Sequence, residues 1–325
     1  MRVTVIGAGG YIGSRLVPAL LEAGHGVTAT FTDPSRAEAF WWSDRVRVVG
    51  VDVADRTTVR RACPAGTDAV YYLVHGLAGD DFTTRDREGA YNTAHAAVRA
   101  RAGRLVYLGG LVPDVPEEDL SAHLRSRLEV EQVLTDSGVP TLALRAAMVV
   151  GRGSTSFEIL RQVSARLPMQ VLPTWMRSRV EPVAVTDVVA ALLGALDAPA
   201  RSRSYDVGGG EELQYAALLR RYARIAGLSR PQVPVPGVPT GLVALIAPAL
   251  TSVPGPTMRA LVESLRHDMV SRERDFVRDL LPAGHSPLDL DTAIERSLAP
   301  GGQGVGDPGR DALREWPTDP IWARD

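Results

Sequence analysis

The sequence predicts an α/β fold, a doubly wound parallel sheet followed by a smaller C-terminal lobe. Two patterns carry this reading: a regular alternation of apolar runs and helical segments over the first 150 residues, and a glycine turn placed directly after the first run. Six uninterrupted runs, at 2–8, 26–31, 46–51, 68–74, 104–109 and 141–146, are rich in β-branched residues and suit strands buried on both faces. Helical segments around 12–23, 84–101 and 121–136 lie between them, the succession expected of βαβ units. After Gly151 the rhythm loosens into a helix near 154–166, a helix from Asp187 to about Asp197, and a strand–turn–helix over 206–227. A proline-rich apolar stretch at 228–256, suited to closing a pocket, and a helix near 257–268 complete the lobe. The expected division is 1–150, 151–299 and a flexible tail over 300–325, whose APGGQGVGDPGRD-like start has linker composition.

The bulk properties exclude several functions. A chain of 325 residues with 45% apolar and 23% charged content fits an ordinary soluble globular protein. A formal charge of -2 gives no reason to expect nucleic acid or an anionic membrane as partner. The single Cys63 cannot close an internal disulfide, which points to a reducing, cytoplasmic compartment. MRVTVIGAGG enters a strand at once, unlike a signal peptide, and GLVALIAPAL (241–250) is too short to span a bilayer. The chain contains no lysine, so Schiff-base chemistry and a phosphate-loop lysine are excluded. No His/Cys/Glu spacing suggests a metal site, and no Ser-His-Asp arrangement can be placed.

GAGGYIG (7–13) follows the first strand and opens the first helix. Glycines there let the backbone turn tightly and approach a pyrophosphate, whose charge rests on the N–H groups of a helix N-terminus. Gly7, Gly9, Gly10, Tyr11, Ile12 and Gly13 are therefore expected to hold a dinucleotide in a Rossmann-type domain. At the same sheet edge lie Leu73, Val74 and His75 after the fourth strand, and Leu108 and Gly109 closing the fifth. Asp52 and Val53 follow the third strand, where the carboxylate reaches for adenine or merely caps a turn. An NAD site wants an acid at the end of the second strand. Here that place holds Phe31 and Thr32, while Asp33, before Pro34, suits an N-cap. Thr32, Ser35 and Arg36 suit a 2′-phosphate, so NADP(H) is favoured over NAD(H).

These segments, with YYLVHGL, RLVYLGGL, LRAAMVVGRGS and VEPVAVTDVVAALLGAL (180–196), resemble an atypical extended short-chain dehydrogenase/reductase of the NmrA-like, epimerase-like kind. The resemblance covers about residues 1–300. It implies that Ala146 and Ala147 meet the nicotinamide carboxamide through their backbone, and that helices near 84–101 and 121–136 form a homodimer. EWPTDPIWARD resembles the opening of a further domain that follows this module in some relatives; the expectation is that the domain itself is absent. Active members carry a Ser or Thr after the fifth strand and Tyr-x-x-x-Lys on the next helix. Here Gly109 and Gly110 stand at the first place, and the helix reads His123-Leu124-Arg125-Ser126-Arg127 with Glu131 further on.

His123 is the natural substitute for the lost proton donor, since imidazole titrates near neutral pH. Arg127 can orient ribose but donates no proton at neutral pH. The alternative is that Leu124 and Leu128 form the buried stripe, with His123 and the arginines solvated. Arg125 is a further pocket candidate, while Tyr72 and Tyr107 lie within strands and suit the core. Phe157, Trp175, Met176 and Arg177 either line a substrate pocket or pack the smaller lobe. Two functions follow. One is an NAD(P)H-dependent oxidoreductase reducing a small apolar carbonyl or imine compound; the other is a non-catalytic NADP(H)-binding sensor or structural module. A sugar-nucleotide epimerase is weaker, because that reaction relies on the missing tyrosine.

Overall fold

The computed structural model describes residues 1–76, 82–239, 241, 243, 245, 247–299 and 310–323. Strands β1 (Arg2–Ile6), β2 (Gly26–Phe31), β3 (Arg47–Gly50), β4 (Ala69–Tyr72), β5 (Arg104–Gly110) and β6 (Thr141–Ala146) join an edge strand, Arg203–Val207, in one seven-stranded sheet. The order is edge strand-β6-β5-β4-β1-β2-β3, and every neighbouring pair is parallel. The strand order reverses between β1 and β4, where Val5 pairs with Tyr71, and a crevice at that point is where such sheets bind ligands.

The apolar runs are explained by burial on both faces. Successive residues of a strand point to opposite sides, so Tyr71 and Val106 join one core, while Tyr72, Leu105 and Tyr107 join the other. On the first side, Leu16, Val17 and Leu20 of α1 (Tyr11–Glu22) meet Val188 and Leu192 of a later helix, Val185–Gly194. On the second lie α2 (Arg56–Ala62), α3 (Phe82–Ala100) and α4 (Ala122–Thr135), contributing Val59, Ala90, Ala94, Ala97, Val130 and Leu134. Each fully buried valine or leucine among them contributes roughly 1.5–3 kcal/mol. α2 was not anticipated, because RTTVRRA is short and offers only Val59 and Ala62 to a core; Asp55 starts it by accepting from Thr57 N at 2.8 Å. Asp33 caps the turn Pro34–Ala39 as the Asp-Pro pair predicts, accepting from Ser35 N at 3.0 Å. Cys63 is buried in the second core, and its thiol is pushed up to about 12 by burial, consistent with an inert packing role.

Beyond Gly151, α5 (Thr155–Arg166), α7 (Tyr215–Ile225) and the helix Gly255–Ser264 build the smaller lobe, with Gln170–Pro173 paired in parallel to Gln232–Val235; counting in chain order, Val185–Gly194 is α6. The expectation of a flexible tail fails for residues 310–323. Leu313, Trp316 and Ala323 are buried, and Asp319 forms a bidentate ion pair with Arg15 of α1 at 2.8 and 2.9 Å. Composition misleads here because the glycine-rich stretch precedes a segment with enough apolar anchors to dock. Residues 300–309 lie outside the described residues, as do Leu77 of the fourth-strand motif and part of the apolar 241–250 segment. Among the described residues no helix is long and apolar enough to cross a membrane.

Candidate active site

A cavity of about 950 Å³ opens from the C-terminal edge of the sheet into the smaller lobe. Its floor is the glycine turn and the ends of β4, β5 and β6, contributing Gly7, Gly10, Tyr11, Ile12, Gly13, Leu73, Val74, His75, Leu108, Gly109, Ala146 and Ala147. Its far side is apolar and includes Trp175, Met176, Leu218, Met258 and Val262. Trp175, whose indole N–H donates to Val238 O at 3.0 Å, lines it, together with Val238, Val243 and Leu250 from the proline-rich stretch.

The glycine turn fits a dinucleotide. Gly7 sits at φ +95°, a conformation that disfavours any side chain, and Gly10 N donates to Gly7 O at 3.1 Å. A Cβ on Gly13 would lie 2.2 Å from Gly7 O, so only glycine lets α1 start this close to β1. Gly9 faces away from the cavity, onto the Phe31 ring, which is itself packed 5.4 Å from Phe40 and 6.2 Å from Trp42. The end of β2 therefore offers an aromatic core residue and no carboxylate. Thr32, Arg36, Asp52 and Val53 do not line the cavity; the first three are exposed, and Asp52 accepts from Ala54 N at 3.0 Å.

The polar part of the site is a cluster on α4 and after β4. Ser121 caps α4 by accepting from Leu124 N at 3.3 Å, which sets His123, Leu124 and Arg127 against the cavity. Arg127 Nε donates to His123 Nε2 at 3.2 Å, so that nitrogen is an acceptor and the ring is neutral. Burial, and then Arg127, lower His123 to about 3. Arg127, burial and His123 push His75 well below its ordinary value. The sequence expected His123 to titrate near neutrality; the structure holds it unprotonated because it shares a desolvated wall with a guanidinium. It is also 7% exposed, not solvated as the alternative reading had it. Arg127 is the only charged side chain lining the cavity among the described residues.

Asp86, absent from the sequence reading, stands behind this cluster. It is 6% exposed, accepts from Gly76 N at 2.8 Å and Ser126 Oγ at 3.4 Å, and its carboxyl is raised by burial against the opposing pull of Gly76 and Arg127. The signal was present: Asp86 shares helical spacing with Ala90, Thr93 and Ala97 on the buried face of α3.

Gly110 and Arg127 compete for one space at the end of β5. A Cβ on Gly110 would stand 2.9 Å from Arg127 Cδ, so the stem of the arginine crosses the space a serine would need. Gly109 is equally closed, its Cβ position lying 2.7 Å from the Tyr107 ring. Tyr107 and Tyr72 are core residues, and burial raises both hydroxyls out of reach of acid–base work at neutral pH. Three further candidates lie outside the cavity lining. Phe157 is fully buried against Tyr222 at 5.8 Å, Arg177 is exposed, and neither lines the cavity. Arg125 turns outward and donates to Leu120 O at 3.0 Å. Glu131 is structural, gripping Arg145 at 2.6 and 2.9 Å and accepting from Ser204 Oγ at 2.6 Å.

A glycine turn at the switch point of an all-parallel sheet defines a dinucleotide-binding protein. The sequence matches the NAD(P)H-binding family over residues 7–193, and the chain belongs to that family. It is 30% identical to a 3-diazoavenalumate denitrifying reductase from Streptomyces sp., over 77% of this chain and 87% of that protein. It is 29% identical to an uncharacterized protein of Mycobacterium tuberculosis over 72% of this chain, and spans only 24% of that relative's length. Among solved structures, the Citrobacter sp. triphenylmethane reductase complexed with NADP(H) superposes with a TM-score of 0.72 at 18% identity, covering 92% of this chain and 100% of that one. A nucleoside-diphosphate-sugar epimerase of Staphylococcus aureus gives 0.72 at 14%, covering 91% and 100%. The chain is therefore an NAD(P)H-binding protein, and its fold is the one shared by a triphenylmethane reductase and a nucleoside-diphosphate-sugar epimerase.

Proposed function

We propose that the protein is an NAD(P)H-dependent reductase that delivers hydride to a largely apolar carbonyl, imine or similarly electrophilic compound, using NADP(H) in preference to NAD(H). The observation that carries this is the cavity itself, whose glycine turn and strand ends continue without a break into an apolar chamber of the smaller lobe. A bound nicotinamide supplies the hydride; the protein's part is to hold the dinucleotide, exclude water and place the acceptor. Gly7, Gly10 and Gly13 hold the pyrophosphate, and Ala146 and Ala147 offer backbone groups beside the sheet edge. Arg127 orients the ribose, and neutral His123, through its 3.2 Å contact, positions Arg127.

With both imidazoles neutral and the tyrosines buried, these residues have no ready proton to give at neutral pH. That favours an acceptor that needs none from the protein, such as an iminium-like or otherwise cationic electrophile, or one protonated by water. The sequence relative named as a denitrifying reductase of a diazo compound supports hydride delivery. Arg36 on the exposed turn after β2, with no carboxylate at the strand end, supports NADP(H). The replaced catalytic positions support a second reading, a non-catalytic NADP(H)-binding module.

Titration with NADPH and NADH, followed by cofactor oxidation assays over neutral carbonyl and cationic acceptors, separates the two. Turnover with cationic acceptors across a flat pH profile from 6 to 8 is expected. Tight binding with no turnover across the panel favours the non-catalytic module. Arg36→Ala should weaken NADPH about tenfold and leave NADH unchanged.

A further inference from the structure

We propose that residues 310–323 are a wall of the dinucleotide site, with Trp322 touching the bound dinucleotide and the Arg15–Asp319 pair serving as the positioning residues that hold it there. Arg15 lies one turn into α1, the helix that starts at the glycine turn. Four hydrogen bonds of its guanidinium reach this segment: Nε donates to Ala312 O at 2.7 Å, Nη1 to Asp319 Oδ1 at 2.8 Å, and Nη2 to Asp319 Oδ2 at 2.9 Å and Arg314 O at 3.1 Å, while Tyr11 O, Ser14 Oγ and Arg152 O accept the others. It lies 3.9 Å from the Tyr11 ring centroid and 4.7 Å from that of Trp316, and neither charged side chain is more than 1% exposed. Gly153 is shaped to the same anchor, with φ +91° and a Cβ position only 2.6 Å from the Asp319 carboxyl carbon.

From this anchor the chain runs directly into the cavity. Pro320 and Trp322 line it together with Gly10, Tyr11 and Gly13. Gln162 of α5 donates to Trp322 O at 2.9 Å, so the segment is tied both to the helix of the glycine turn and to the substrate lobe. A half-buried indole at a cavity wall offers a flat apolar face and one N–H, groups that suit a ribose or a base. Because the segment and a bound dinucleotide share this wall, each stabilises the other's placement by the same free energy. The proposal rests on dinucleotide binding alone and is independent of which acceptor, if any, is reduced.

The test uses the full chain carrying 5-fluorotryptophan, with the Trp322 fluorine signal assigned by Trp322→Phe. On saturation with NADP⁺ the Trp322 signal is expected to shift, while that of Trp41, away from the cavity, stays in place. The Kd for NADPH should rise about tenfold in Trp322→Ala and in Asp319→Asn, and stay within about threefold in Trp322→Phe. An unmoved Trp322 signal at saturation, or an unchanged Kd in Trp322→Ala, overturns the proposal, as does failure of both NADP⁺ and NAD⁺ to bind. Should Asp319→Asn fold poorly, the fluorine shift in the otherwise unaltered chain decides. Binding without turnover leaves this wall standing and counts only against the reductase.

Discussion

Arg15 on α1 and Arg127 on α4 both stand on helices that pack on the sheet, the first fully buried and the second half-buried, and their surroundings are opposite. Arg15 meets a carboxylate squarely, four backbone carbonyls and two aromatic faces. Arg127 donates to a neutral imidazole and stands beside the buried Tyr107 hydroxyl, with its charge facing the cavity. A cation whose donors are all satisfied serves the architecture. A cation beside neutral bases and an open chamber is available to a ligand, and it keeps those bases neutral.

The comparison breaks most readily at Arg15. Asp319→Ala leaves an unpaired buried guanidinium, and a stability loss of about 3–5 kcal/mol is expected in urea unfolding; a loss below about 1 kcal/mol would mean that the pair does not anchor the segment. Acid should act on the other region. His75 and His123 have folded-state values below the ordinary 6.5, so the unfolded chain binds their protons first, and stability present above pH 6.5 is lost as pH falls toward about 3 for His123. The slope is up to about 1.4 kcal/mol per pH unit for each histidine. His123→Phe should flatten the fall in urea midpoint between pH 7 and 5; an unchanged slope would show that His123 is not held neutral.

Smaller effects refine the contrast. Gly110→Ser drives a Cβ against Arg127 Cδ and should cost about 1–3 kcal/mol while weakening NADPH binding. Neutral stability and binding would show that Arg127 can vacate that space freely. At the low end, Glu129→Ala removes the exposed Arg87–Glu129 pair, 3.3 Å apart, and should change stability by no more than about 0.5 kcal/mol.

The sheet and the glycine turn were legible because they are written in backbone demands and period: six runs buried on both faces, and glycines where no Cβ fits. For Phe157, Trp175, Met176 and Arg177 the sequence left pocket lining and lobe packing open, since side chains along an irregular lobe carry no periodic signal of which way they face. The neutral state of His123 depends on its distance from Arg127 and on its burial, neither of which the sequence states. The Arg15–Asp319 pair joins residues separated by 304 positions through ordinary chemistry, beyond a stretch whose glycines suggested a free tail.

The space between Gly110 and Arg127 also governs how this site can change. A side chain added at 110 fits only as far as the stem of Arg127 gives way, and a change at 127 alters the room beside Gly110. Positions 110 and 127 are therefore coupled, and the effects of changing both should not add up from the effects of changing each.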